Sequence, residues 1–243
     1  MQKQTVFENL KGKGDTSYEI FLNRSELLSC QTDYNDLMNP DQLQFQIIHQ
    51  VEELWMKLVV FTLTEIDDCM KEKKTHKALT LFTRVNKLQN LMIDQLSVLE
   101  TMSPRDYQEI RQLLGDGSGR ESPGFHTMIA TSKPLYETFK KTYLADTTLE
   151  KVYNSEYEHD ETYVLAEALA DYDELFQRFR YHHIQLVERS IGLGGKAISG
   201  NSIMLLENGL KMKFYPELWK IRNQMTDEWG LEYGAQREPL KES

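Results

Sequence analysis

Cysteine is scarce in this chain: Cys30 and Cys69 are the only two among 243 residues. They form no C-x-x-C pair and no disulfide framework, which points to a reducing cytoplasmic setting. Long apolar runs are missing as well. None approaches the ~20 residues that a membrane span requires, and Met1 to Asp15 is polar, without the apolar segment of a secretory signal. Positive charge is in deficit, with 28 Lys and Arg against 38 Asp and Glu, a net charge of −10. Such a surface repels phosphate backbones and anionic lipid, so neither nucleic acid nor a membrane is an expected partner. Strand-like alternation, a fixed-period repeat and a long linker are also lacking. What remains is 40% hydrophobic and 27% charged, an ordinary globular composition with room for one sizeable domain. The expectation is a single all-α domain over residues 1–243, with 1–15 and 230–243 flexible.

Helical periodicity dominates. From Asp41 to about Met70, apolar residues such as Phe45, Ile48, Val51, Trp55 and Val59 recur at helical spacing. A second helix is predicted from about His76 to Leu99. Ser103-Pro104 reads as an N-cap followed by proline at the first helical position, opening a short helix to about Leu114. Gly115 to Gly124 is the most loop-like stretch, and residues 125–160 receive no assignment. A third long helix is predicted from about Glu161 to Ile191. Gly192, Gly194, Gly195 and Gly200 end it and form a second loop. A final helical piece begins near Asn201 and is interrupted at Pro216.

Two histidines lie on apolar helical stripes. Phe176, Phe179, His183, Leu186 and Val187 share one face. From spacing alone, His183 is either a metal ligand or a core histidine satisfied by a backbone carbonyl. His182 points about a quarter-turn away. His49 shares a face with Phe45 and Glu53, and either exchanges a proton beside a ligand or is simply buried and hydrogen-bonded. No zinc pattern is present: there is no H-E-x-x-H and no paired C-x-x-C. One protein imidazole per metal is the arithmetic of haem, where the porphyrin supplies four nitrogens. The Gly115 loop lacks the G-x-x-x-x-G-K-[ST] spacing and follows no strand, so a phosphate-loop reading has little support.

Four segments, in order, resemble the tryptophan 2,3-dioxygenase family. His49-Gln50-Val51-Glu52-Glu53-Leu54-Trp55-Met56-Lys57 is similar to H-Q-x-x-E-L-W-x-K. Leu99-Glu100-Thr101-Met102-Ser103-Pro104 is similar to L-E-T-M-[ST]-P. Phe179-Arg180-Tyr181-His182-His183, with Val187 to Gly192, resembles W-R-x-R-H-x-x-x-V-x-R-x-I-G. Phe214-Tyr215-Pro216-Glu217-Leu218-Trp219 resembles F-F-P-E-L-W. The resemblance runs from about residue 17 to 222. It implies an all-helical bundle with haem b between helices, His183 as the axial iron ligand, His49 as the distal catalytic histidine and Phe45 against the substrate ring. Tyr18-Glu19-Ile20-Phe21-Leu22 resembles T-Y-x-x-Y-L, which in the family reaches a neighbouring subunit's pocket. Tyr18 and Phe21 are thereby implied as shared-site residues of a homo-oligomer, a dimer or tetramer.

Two departures bear on substrate. The family pattern S-G-F-Q-S-x-Q-[FY]-R, whose final arginine is taken here as the carboxylate clamp, aligns with Ser118 to His126, so His126 replaces that arginine. Imidazole cannot copy a bidentate guanidinium fork; Arg120 is an alternative on the same loop. The family's G-T-G-G-S-S-G loop aligns with Gly192 to Gly200, where Ser199 is the only hydroxyl. The expected function is a haem-dependent oxygenase acting, with O2, on the indole ring of tryptophan or a similar aromatic, the family default being L-tryptophan to N-formylkynurenine. The alternatives are a tailoring oxygenase of a modified or peptide-borne aromatic, a non-enzymatic haem sensor or carrier, and a helical protein with no cofactor.

Overall fold

The structure is a computed structural model that describes residues 3–11, 14–115, 119–154, 159–193, 195, 209–210 and 212–228. Ten α-helices are described: α1 (Lys3–Lys11), α2 (Ser17–Phe21), α3 (Arg24–Leu27), α4 (Pro40–Lys71), α5 (Thr75–Leu99), α6 (Pro104–Leu113), α7 (Pro123–Tyr143), α8 (Leu149–Tyr153), α9 (Glu161–Ile191) and α10 (Pro216–Glu228), with a 3₁₀ turn at Gly119–Glu121 before α7. No strand occurs among the described residues, in keeping with the all-α expectation.

Local chemistry sets the helix ends. Asn39 caps α4, its side chain accepting from the Gln42 N–H at 3.1 Å, with Pro40 in the first turn. α4 ends where Lys73 adopts a left-handed φ of 55° and the Lys74 N–H returns to the Cys69 carbonyl at 2.8 Å. That short turn makes α5 the antiparallel neighbour of α4, and Gln44 near the start of α4 donates to the Val98 carbonyl near the end of α5. Ser103 caps α6 through the Asp106 N–H, as its motif predicted. Asp160 caps α9 through the Tyr163 N–H.

Four long helices, α4, α5, α7 and α9, build the core. α4 packs on both α5 and α7, and α5 on α9; aromatic contacts such as Phe125–Phe176, with centroids 5.1 Å apart, join α7 to α9. Val59, Leu63 and Ile66 of α4 are fully buried, as are Val85 of α5, Phe139 of α7 and Leu165 and Leu169 of α9. Each such side chain contributes roughly 1.5–3 kcal/mol relative to exposure. At one end of the bundle, the Thr75 hydroxyl bonds Tyr143 and Glu161, tying α5, α7 and α9 together. The opposite end gathers the first third of α4, the end of α5, the start of α7 and the end of α9. Both singled-out histidines lie there.

Two expectations change in this structure. The loop predicted over 115–124 gives way to helix at Pro123, and the unassigned stretch after it becomes the 21-residue α7, with Pro134 inside. Pro216 opens α10 rather than interrupting a helix, the tolerated position for a residue without an N–H. The helical piece expected from Asn201 to residue 208 lies outside the described residues.

Candidate functional site

His183 lies near the end of α9, its ring roughly parallel to Phe179 at 6.4 Å. Burial pushes its pKa down to about 4, with smaller contributions from His49 and His182. The imidazole is therefore neutral at neutral pH and carries a lone pair for a metal. His182, the next residue, turns elsewhere and meets Glu100 of α5 at 2.9 Å. The turn Gly119–Glu121 lies against the His183 ring: a Cβ built on Gly119 would be 3.8 Å from Nε2.

His49 is on α4, and its Nδ1 is 2.7 Å from the Phe45 carbonyl. A carbonyl only accepts, so Nδ1 carries the proton and Nε2 is left as an acceptor. Burial lowers the His49 pKa, opposed by the Phe45 carbonyl and Glu53. The Phe45 ring lies 4.1 Å from the His49 ring and 6.2 Å from that of Tyr107 on α6. Burial raises the Tyr107 pKa while the Arg111 cation, one helical turn on, pulls it down; the Arg111 guanidinium donates to Gln108 of the same helix at 3.3 Å. A cavity of about 760 Å³ opens next to His49, lined among others by Glu53, Met56, Lys57, Gly124 and, from the α3 side, Leu27 and Cys30.

The structure thus brings His183, His49 and Phe45 to one end of the bundle. His126 is exposed on α7, while its neighbour Phe125 packs inward on Phe176. Tyr18 and Phe21 are 69% and 87% exposed within the chain. The side chain of Arg120 and the whole of Ser199 lie outside the described residues. Sequence reasoning missed Tyr107, Arg111 and the contacts of Glu53. Tyr107 and Arg111 had a usable signal, since the Ser103 cap fixes the start of α6 and residues four apart share its face. Glu53 had none, because its partners are 69 and 71 residues away.

The chemistry of the donor set bears on haem. Among the described residues, no group of three or more His, Cys, Asp or Glu side chains could hold a metal. An ion on His183 needs a macrocycle for its remaining ligands, and a single neutral imidazole suits that arrangement. One turn before His183, the Arg180 guanidinium lies over the rings of Phe125 and Phe176 at 5.9 and 5.6 Å. Its Nη1 is buried with no hydrogen-bond partner among the described residues. A guanidinium nitrogen without a partner among the described residues, set against aromatic walls, suits a haem carboxylate. The residues fit the group.

Comparison with known proteins identifies the family of the chain. The chain matches the family model described as tryptophan 2,3-dioxygenase over residues 2–130 and 137–225. It is 28% identical to the tryptophan 2,3-dioxygenase of Myxococcus xanthus, the match covering 88% of this chain and 91% of that protein. It is 28% identical to the enzyme of that name from Erythrobacter litoralis, covering 86% and 98%. For the Bacillus thuringiensis enzyme the figures are 27%, 88% and 94%. With the family model matched along nearly the whole of an all-helical chain, this protein belongs to the tryptophan 2,3-dioxygenase family of haem-dependent dioxygenases.

Proposed function

We propose that the protein oxygenates the indole ring of free tryptophan, or of a close analogue that keeps its carboxylate, to the N-formylkynurenine-type product. The observation that carries this reading is the ring cluster of Tyr107, Phe45 and His49 at the end of the bundle that also holds His183. In the proposal His183 holds the haem iron through its neutral imidazole, and Arg180 takes a haem carboxylate. Bound there, haem supplies the activation of dioxygen.

The remaining tasks fall to the chain. Phe45 and Tyr107 offer flat apolar walls for an aromatic ring. His49, with its Nδ1 proton committed to the Phe45 carbonyl, presents Nε2 to the indole N–H and orients the ring. Its depressed pKa keeps it neutral, and hence an acceptor, at neutral pH. Arg111 supplies the guanidinium for the substrate carboxylate. In this proposal Arg111 exchanges its bond to Gln108 for the substrate carboxylate, the role that residue 126, a histidine, cannot fill as a bidentate fork. The exposed apolar residues Tyr18, Ile20, Phe21 and Leu22 around α2 form the surface offered to a second copy, completing a homo-oligomer.

The decisive experiment mixes the reduced, haem-loaded protein with tryptophan and air and follows N-formylkynurenine by mass. Its appearance supports the reading. No product together with no spectral shift on adding tryptophan refutes it and favours a tailoring oxygenase acting on a modified aromatic.

A further inference from the structure

We infer that the cavity beside His49 is a second small-molecule site, distinct from the ring cluster, and that its ligand is an apolar aromatic carboxylate held by Lys57. The cavity measures about 760 Å³, within the range of small-molecule pockets. Leu27, Leu54, Met56, Val60 and Pro123 give it apolar walls. Among the described residues neither Phe45 nor Tyr107 lines it, so of the ring cluster it shares only His49.

One wall is fixed by a ladder of amides. Gln42, Gln46 and Gln50 lie four residues apart on α4 and share a face. They hold the segment 30–38 along the helix. Gln42 Oε1 accepts from the Met38 N–H at 2.8 Å. Gln46 Oε1 accepts from the Thr32 N–H at 3.0 Å, and its Nε2 donates to the Thr32 hydroxyl at 2.9 Å. Gln50 Nε2 donates to the Cys30 carbonyl at 3.1 Å, and its Oε1 accepts from the Gln31 amide at 2.7 Å. That same Gln31 amide donates to the Leu27 carbonyl at 3.1 Å. Leu27 and Cys30, which line the cavity, are therefore in place before a ligand arrives, which spares the ligand the cost of ordering them.

Charge selects the ligand. Lys57 borders the cavity, and its natural partner on α4 is Glu53, one turn before it, the order that favours a Glu–Lys pair. Glu53 is committed elsewhere: Oε1 accepts from the Ser122 hydroxyl, and Oε2 accepts from the Gly124 N–H at 3.2 Å. Lys57 makes no ion pair or hydrogen bond among the described residues. An unpaired ammonium at the edge of an apolar cavity suits an anion with an apolar body. Glu53 also lines the cavity, and its negative charge favours a singly charged carboxylate over a phosphate. The Met56 thioether and the His49 ring favour a flat aromatic body.

Cys30 reports on the cavity directly. It is exposed on the wall while Cys69 is buried, so a maleimide labels Cys30 first. The test follows that labelling by mass in the full, haem-loaded chain, with naphthoate or with its uncharged twin naphthylmethanol. Naphthoate should slow the labelling, and the alcohol should do so only at higher concentration. Lys57→Gln should weaken protection by naphthoate about threefold to fivefold, the upper end for an exposed charge pair, and leave the alcohol unchanged. Leu54→Trp, which fills the cavity, should remove protection by both. A smaller effect of Lys57→Gln, or equal protection by acid and alcohol, overturns the proposal. So does protection lost in Arg111→Ala but kept in Lys57→Gln, which would put the acid in the substrate site. Labelling that slows with protein concentration alone would mark a second copy over the cavity and overturn it too. None of these readings uses turnover, so failure of the tryptophan reaction is a separate result.

Discussion

Glu52 sits three residues beyond His49 on α4 and is only 7% exposed. Its Oε1 has no hydrogen-bond partner among the described residues. Burial raises its carboxyl pKa from 4.5 to about 7; Gln95 of α5 opposes the rise and the charge of Glu53 adds to it. A carboxyl raised on folding favours the folded state below its unfolded value and loses that contribution as pH climbs through the folded one. The penalty therefore starts near pH 4.5 and is complete above about 7. At about 1.4 kcal/mol per pKa unit, it reaches roughly 3 kcal/mol at pH 8. Glu52→Gln keeps the volume and removes the ionisation. Urea denaturation of the two proteins from pH 4.5 to 8 should show nearly equal stability at the acid end and a gap that widens to about 3 kcal/mol in favour of the glutamine variant. At pH 8 the melting temperatures should differ by roughly 5–10 °C. A gap that does not change with pH, or a less stable glutamine variant at pH 8, would refute the reasoning.

Other perturbations separate the roles assigned above. His183→Ala should abolish the haem absorption band of the purified protein; an unchanged band removes His183 from the iron. Arg111→Ala should raise the KM for tryptophan at least about thirtyfold, the loss expected for a buried guanidinium–carboxylate pair, whereas His126→Ala should leave it within about twofold. The reverse ranking would return the carboxylate to the start of α7. Tyr18→Ser with Phe21→Ser should shift sedimentation toward a smaller species, and an unaltered profile would show that α2 does not join copies. Asp173 is fully buried and accepts from the Trp219 indole at 2.8 Å, the Tyr215 N–H at 3.4 Å and Gln177 at 3.3 Å. Asp173→Ala should cost about 3 kcal/mol or more by leaving these donors unpaired, measured as a fall in melting temperature.

The long helices were legible because their apolar stripes are continuous and their ends are marked: Ser103 before α6 and the glycines after α9 both stop or start the backbone by local chemistry. α7 was not, since Pro134 and the polar residues around it break the pattern that α4 shows. Its helical state depends on Met128, Leu135 and Phe139, buried against the rest of the core. At the site, His49 and His183 stood out as imidazoles on apolar faces, a local property. Arg111 and His126 could not be ranked from sequence, because the place of each relative to the histidines depends on how α6 and α7 enter the bundle. The departure at residue 126 looked like the loss of a substrate anchor. In the structure His126 is exposed at the start of α7, and Arg111 is one turn beyond Tyr107 on α6.

The Asp173–Trp219 contact makes the molecule its own gauge. Trp219 is held to α9 by a hydrogen bond from its ring nitrogen, and the residue that accepts it precedes His183 by ten positions, about 15 Å along the same helix. In a variant whose other two tryptophans, Trp55 and Trp229, are replaced by phenylalanine, the emission of Trp219 should fall by energy transfer when a strongly absorbing cofactor fills the pocket, with no label attached.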